Sequence, residues 1–263
     1  MIRTLGYRPD PPKAAGQKPD LNAQARLRAE PIPQRADNRH LVLSVLDQGG
    51  IGSCVAQAVM QAVRASQVKH GAVNPPLGSR LWTYYLSRAI SGETDLDAGT
   101  FIRQAFAAIV KFGFPPESAF PYSDQNESFK LAPGPEVYRQ AFDQRQPTEY
   151  YRIFEEGPDR VLTVKRALAQ GHLVVFGTSV SNRFCGDDLG RGPVMPPAGE
   201  PIAGGHAMTL VGYDGDAFDV VNSWGTGWGD GGFWAMSASY LSWDQTRDLW
   251  ICRSAPNFSG GKS

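Results

Sequence analysis

The stretch DQGGIGSCVAQAVMQAV, residues 47–63, decides how the rest of the chain is read. Its first half is a glycine-rich turn. Its second half places Val55, Ala58, Val59, Ala62 and Val63 at i, i+3, i+4, i+7 and i+8, the spacing of a helix with one apolar stripe. Ser53 stands where an N-cap belongs. Cys54 therefore falls on the first helical turn, where unpaired N–H groups and the positive end of the helix dipole favour thiolate over thiol. Taken alone, such a cysteine is as readily a small core residue.

The far end of the chain supplies a partner for it. Residues 204–232 read GGHAMTLVGYDGDAFDVVNSWGTGWGDGG, with His206 ahead of one strand-like apolar run and Asn222 at the end of the next. The pair Asp214 and Gly215 between the runs is a hairpin signal. Adjacent antiparallel strands let an amide on one hold an imidazole on the other. A nucleophilic cysteine needs such a pair: a base to take its proton, and a third group to fix the ring's orientation and tautomer.

Gln48, Cys54 six positions on, His206 followed by Ala207, and the run Asn222, Ser223, Trp224, Gly225 closely resemble the motifs of papain-like cysteine peptidases. Residues 97–122, DAGTFIRQAFAAIVKFGFPPESAFPY, are similar to that family's cleft-lining glycine, the helix after it and a Pro-Tyr turn. The resemblance spans residues 38–254. It implies an α+β, two-lobed fold with a helical N-terminal lobe, an antiparallel sheet lobe and a cleft between them. It also implies a peptidase with no cofactor or metal, acting on polypeptide substrates. Cys54 would be the nucleophile, His206 the base and acid, Asn222 the orienting amide and Gln48 the oxyanion-hole donor. Gly99, Thr100, Gly205 and Trp228 would meet substrate, and Trp224 would shield the hydrogen bond between His206 and Asn222. Thr100 departs from a second glycine usual in the family, and Val55 from an aromatic residue. Ile51 stands where secreted relatives carry a half-cystine, which suits a reducing compartment. Asp244 or Asp248 would floor the pocket for a substrate side chain and favour a basic one.

With 263 residues, 41% of them hydrophobic, the chain can build one large domain or two packed subdomains. Zero net charge implies neither a nucleic-acid nor a membrane partner. The N-terminus has no signal-peptide core and no run approaches a membrane span, so a cytoplasmic location is expected, with export by another route left open; the oligomeric state is not readable, a monomer being the default. Three cysteines make a poor disulfide framework, with only a bridge between Cys185 and Cys252 formally open. Residues 1–38 differ in composition, holding six prolines and no sustained periodicity. They are expected to form an arm, with a short helix near residues 22–30, ahead of a peptidase domain at 39–263. The arm either covers the cleft, with Ile2, Leu5 and Tyr7 as anchors, or packs elsewhere.

Helical spacing is predicted over residues 79–90, 100–112 (capped by Thr100 and ended by Gly113), 135–146 and 158–170. Strands are predicted over 149–154, 172–180, 205–213, 217–223, 232–237 and 248–253. The Gly/Pro-rich residues 181–203 read as a long loop that walls the cleft. Gly227, Gly229 and Gly232 match GxGxxG, but a strand follows them, which argues against a dinucleotide site. His40, His70 and His172 have no clustered ligands. Asn126 and Asn257 lie in N-x-S patterns, which matter only to a secreted chain. Two other readings keep the same residues: a silent binding module, and transfer of the acyl group to an amine.

Overall fold

Helix α1 (Cys54–Lys69) runs through the middle of the molecule, and its surroundings explain why one apolar stripe does not describe it. The computed structural model describes residues 3–11, 20–186, 189 and 192–255. Every residue from Cys54 to Val63 is buried, the glutamines 57 and 61 included. Helices α2 (Arg80–Ala89) and α3 (Ile102–Phe112) cover one side of α1, and the sheet covers the other. Gln57 is tolerated because its polar ends are satisfied: Nε2 donates to Ser53 Oγ at 3.1 Å, and Oε1 accepts from Arg80 at 3.0 Å. Ser53 makes no side-chain cap, since its hydroxyl bonds Tyr122 at 2.5 Å instead.

Helix α2 is capped by Ser79, whose hydroxyl accepts from the Trp82 amide at 3.1 Å. Helix α3 ends at Gly113 as its sequence predicts. Thr100 is not its cap: Phe101 holds that place without a side-chain bond, and Thr100 belongs to an extended segment whose backbone serves another partner. Helix α4 (Pro135–Asp143) completes this lobe.

The second lobe is a mostly antiparallel sheet in the order β2 (Thr148–Ile153), β7 (Thr246–Ser254), β3 (Val174–Ser181), β4 (Ile202–Asp214), β5 (Ala217–Val221), β6 (Phe233–Ser237). The short strand β1 (Arg35–Asp37) also pairs with β4. Strand β3 is buried almost throughout, because α1 packs on one face while α5 (Gly157–Ala169) packs on the other. Asp214 closes β4 and Ala217 opens β5, so the predicted hairpin turns through two residues. Trp250 on β7 lies against Tyr150 and Phe106, with ring centroids 5.5 and 6.4 Å away, and fastens the sheet to α3.

The long loop does not simply wall the cleft. It opens with a four-residue helix, α6 (Asn182–Cys185), and Val194 then pairs with Met236 as an extra rung on the outer edge of β6. Residues 187, 188, 190 and 191 lie outside the described part, as do Ile2 and Asn257. Between β6 and β7 sits a second short helix, α7 (Ala238–Leu241). Cys54, Cys185 and Cys252 are all free, so the bridge between the last two does not form. Among the described residues no helix is long and apolar enough to cross a membrane.

The start of the chain joins the rest of the fold in three places. Residues 3–11 lie between the lobes. The predicted helix near residues 22–30 is a single turn at Ala23–Ala25, capped by Asn22 and with Ala23 wholly buried. β1 then joins the sheet, and the Asn38 side chain donates to Leu168 O at 2.9 Å.

Candidate active site

The turn before Cys54 is held from both lobes. The Gln48 amide donates to Ser223 O at 2.9 Å, Gly52 N–H donates to both Asp97 carboxylate oxygens at 3.0 Å, and Gly50 N–H donates to Asp124 at 2.8 Å. These bonds fix the Gln48 side chain as well as its backbone. Its Oε1 accepts from Ser223 Oγ at 2.8 Å, which leaves Nε2 to donate to Ile51 O at 3.0 Å and to Thr4 O at 2.9 Å. Because a hydroxyl and two carbonyls surround it, only one orientation of the amide satisfies all three contacts. The sequence pointed to the role of Gln48 but gave none to Ser223 or Asp97, whose contacts come from distant parts of the chain.

His206 and Asn222 lie on β4 and just past β5, and both are buried. Asn222 Oδ1 accepts from the Ser223 backbone N–H at 2.7 Å and lies 2.7 Å from His206 Nε2. The backbone donor identifies Oδ1 as the oxygen, so Nε2 must carry the ring proton in neutral His206. Nδ1 is then a bare acceptor, and it is buried without a hydrogen bond. The indole of Trp224 stacks on the imidazole, centroids 4.5 Å apart at 23°. Behind it Trp228 meets Trp224 edge-on at 5.1 Å and donates Nε1–H to Gly186 O at 3.0 Å. Trp228, expected to meet substrate, thus reaches the site through Trp224.

The chain's own N-terminal residues fill the groove beside these groups. Thr100 N–H donates to Gly6 O at 2.8 Å, Arg8 N–H to Thr100 O at 3.0 Å, and Tyr7 N–H to Gly205 O at 3.1 Å. Gly99 has φ 69°, and a Cβ there would lie 2.1 Å from Gly6 O, so both its conformation and its close approach require glycine. At Gly205 a Cβ would lie 2.3 Å from Tyr7 O. Gly99, Thr100 and Gly205 therefore all border one extended backbone, which is here the protein's own. The Tyr7 ring rests on Gly177, where a Cβ would sit 2.0 Å from ring carbon Cζ. Gly177 was not singled out in the sequence, although a glycine inside the apolar run HLVVFGTSV marks a close approach. The Tyr7 hydroxyl donates to Asp248 at 2.7 Å, and Asp10 N–H donates to the same oxygen at 2.7 Å.

Burial governs the ionisation of Cys54 and of His206. It pushes the Cys54 thiol up to about 11, although backbone groups of Ala207, Gly6 and Val55 pull the other way. Burial likewise brings His206 down to about 4, opposed by the Asn222 hydrogen bond and aided by the Arg3 charge. With the groove filled, both groups are neutral near pH 7. The thiolate expected from the helix terminus does not form because desolvation outweighs the helix N–H groups. Beside Tyr7, Asp10 is raised to about 7, first by burial and then by Asp248, against the pull of Arg103 and Arg152.

A sulfur on a central helix, a histidine held by an asparagine on the facing sheet, and a groove between them define a cysteine-peptidase architecture. The model of the papain family of cysteine proteases matches residues 32–245, and the chain belongs to that family. An uncharacterised peptidase C1-like protein of Acanthamoeba polyphaga mimivirus is 34% identical over 218 residues, 80% of this chain and 69% of its own. Xylellain, a cysteine protease from Xylella fastidiosa, superimposes with TM-score 0.82 at 29% identity over 95% of both chains. The bromelain protease from Ananas comosus shares the fold, with TM-score 0.64 at 20% identity over 86% of this chain and 100% of its own.

Proposed function

We propose that this cysteine peptidase is an endopeptidase working through Cys54, His206 and Asn222, with Gln48 in the oxyanion hole, and that residues 3–11 hold it latent. The observation that carries the reading is the 2.9 Å bond from Gln48 Nε2 to Thr4 O, a peptide carbonyl of the arm held by the side chain that would polarise a substrate carbonyl. With the groove open, His206 Nδ1 takes the thiol proton and the thiolate attacks the carbonyl carbon. Gln48 Nε2–H and the Cys54 backbone N–H receive the developing oxyanion. The intermediate collapses to a thioester as Nδ1–H protonates the departing amine. Water then gives its proton to Nδ1, attacks the thioester and frees the acid, and the thiol is reprotonated. Asn222 keeps the imidazole in the tautomer that makes Nδ1 the base. Within the first 38 residues the latch is the stretch in the groove, while β1 serves the sheet.

Gly6→Val provides the test. A Cβ at Gly6 would lie 1.8 Å from the Gly52 carbonyl oxygen, so the variant cannot seat its arm, yet both lobes keep every residue. Gly6→Val should cleave a mixed peptide library at internal bonds, and adding Cys54→Ala or His206→Ala should abolish cleavage. Undiminished cleavage in either double variant would refute the assignment.

Docking of the arm should also depend on pH. Asp10 binds its proton more tightly docked (about 7) than free, where an aspartate titrates near 4. Docking therefore takes up a proton between those values, is strongest in acid, and weakens as pH rises toward and through 7. The rate of the native protein divided by that of Gly6→Val should rise from pH 5 to pH 7.5, by roughly tenfold or more for one linked proton. Asp10→Asn should flatten the ratio. A ratio that falls with pH would reverse the assigned linkage.

A further inference from the structure

We infer that the pocket filled by Tyr7 is a specificity pocket for a tyrosine side chain, read by Asp248 through the phenolic hydroxyl. The inference rests on the peptidase reading above and names the side chain that this site selects. Asp248 is set up for the task at a structural cost. Its φ is 53°, rare for a residue other than glycine, and the pairing between β3 and β7 shifts register between Val175 and Gly177. Its side chain is only 3% exposed. Strain of this kind is retained where it aims a group. Oδ2 takes the Tyr7 hydroxyl, and Oδ1 is bound by Arg152 Nη2 at 2.5 Å. Gly177 provides the flat floor that a ring needs.

Charge decides between a phenol and the basic side chain that an aspartate at this place suggests. Arg152 already neutralises Asp248, and both Arg152 and Arg103 face Asp10 and Asp20 within 3.5 Å. When the arm leaves it takes Asp10 with it, and two guanidiniums remain against Asp20 and Asp248. The Arg247 charge also acts on the place of the Tyr7 hydroxyl. A lysine or arginine entering there would add a cation to a balanced quartet in a largely desolvated pocket, which is unfavourable. A neutral donor restores the bond that Asp248 Oδ2 loses. A phenylalanine fills the same shape but leaves that oxygen, which the arm supplies with the Tyr7 hydroxyl and the Asp10 N–H, without its phenol donor, and sites built for a hydroxyl reject the analogue lacking it.

The test uses the full chain with Gly6→Val and Tyr7→Ala, so that the arm neither seats nor competes. Peptides differing only as Tyr, Phe, Leu or Arg at one position are compared by kcat/KM. Binding of the same peptides to this chain with Cys54→Ala added is followed by calorimetry. Tyrosine should be favoured at least about tenfold over both phenylalanine and arginine in binding and turnover. Asp248→Gly tolerates the positive φ and should remove the preference over phenylalanine. Asp248→Asn, which keeps an acceptor, should retain part of it. Equal binding of Tyr and Phe, or tighter binding of Arg, overturns the inference. Selective binding without hydrolysis leaves it standing and refutes the catalytic reading instead.

Discussion

Gly6→Val is expected to raise the rate of Cys54 alkylation by iodoacetamide near pH 7 by about 100-fold over the native protein. In the closed form burial holds the thiol up at about 11, so on the order of one molecule in 10⁴ carries a thiolate at neutral pH. Opening the groove admits water, removes the Arg3 charge that opposes imidazolium, and leaves the helix N–H groups and His206 to favour the ion pair. Even a return to the ordinary thiol value near 8.5 multiplies the thiolate by roughly 300. A less basic thiolate is a weaker nucleophile, which gives back about one power of ten. That leaves roughly 30-fold from ionisation, and relief of the steric block, acting in the same direction, carries the expected gain to about 100-fold. A raised thiol pKa means closed-form reactivity keeps growing toward alkaline pH, and a depressed His206 pKa means no imidazolium forms above about 4. The open form should instead react well below pH 7 and lose this reactivity in His206→Ala. If Gly6→Val is alkylated no faster than the native chain, the arm does not suppress the cysteine.

The residues around Cys54 were legible because local patterning and tertiary packing agree there. The glycine turn and apolar spacing place the sulfur at the start of α1, and the hairpin at Asp214 brings Asn222 back beside His206. Where packing overrode the local signal, the reading fell short. Gln57 and Gln61 look solvent-facing by period but are buried, since only a view of both lobes shows α1 enclosed on all sides. Thr100 looks like a cap and instead lends its backbone to the arm. The polarity of the Asp248 pocket was also hidden. An aspartate alone suggests a basic ligand, and the partners that change this, Arg152 and Arg103, come from β2 and α3 with no sequence signal linking them to it. Tyr7 was visible as an apolar anchor, but its hydroxyl contact 241 positions away was not.

Gln48→Ala, placed in the Gly6→Val chain, should lower kcat by about 10²- to 10³-fold while KM changes little. The background matters because the proposed mechanism gives Gln48 two opposed roles. In the closed protein its Nε2 holds Thr4 O, so losing it weakens the latch and would raise the fraction of open molecules. In the open protein that N–H has only the reacting carbonyl to serve, while the other hydrogen of Nε2 keeps its bond to Ile51 O. A ground-state carbonyl gains little from that donor, whereas the oxyanion gains about 3 kcal/mol, so the loss belongs to kcat. Ser223→Ala should act more mildly in the same direction. It removes the hydroxyl that fixes Gln48 Oε1 and so loosens the donor without deleting it. Steady-state kinetics on the two variants separate the possibilities. A rise in KM with kcat preserved would make Gln48 a binding residue, and no change in either would leave the backbone N–H of Cys54 to stabilise the oxyanion unaided.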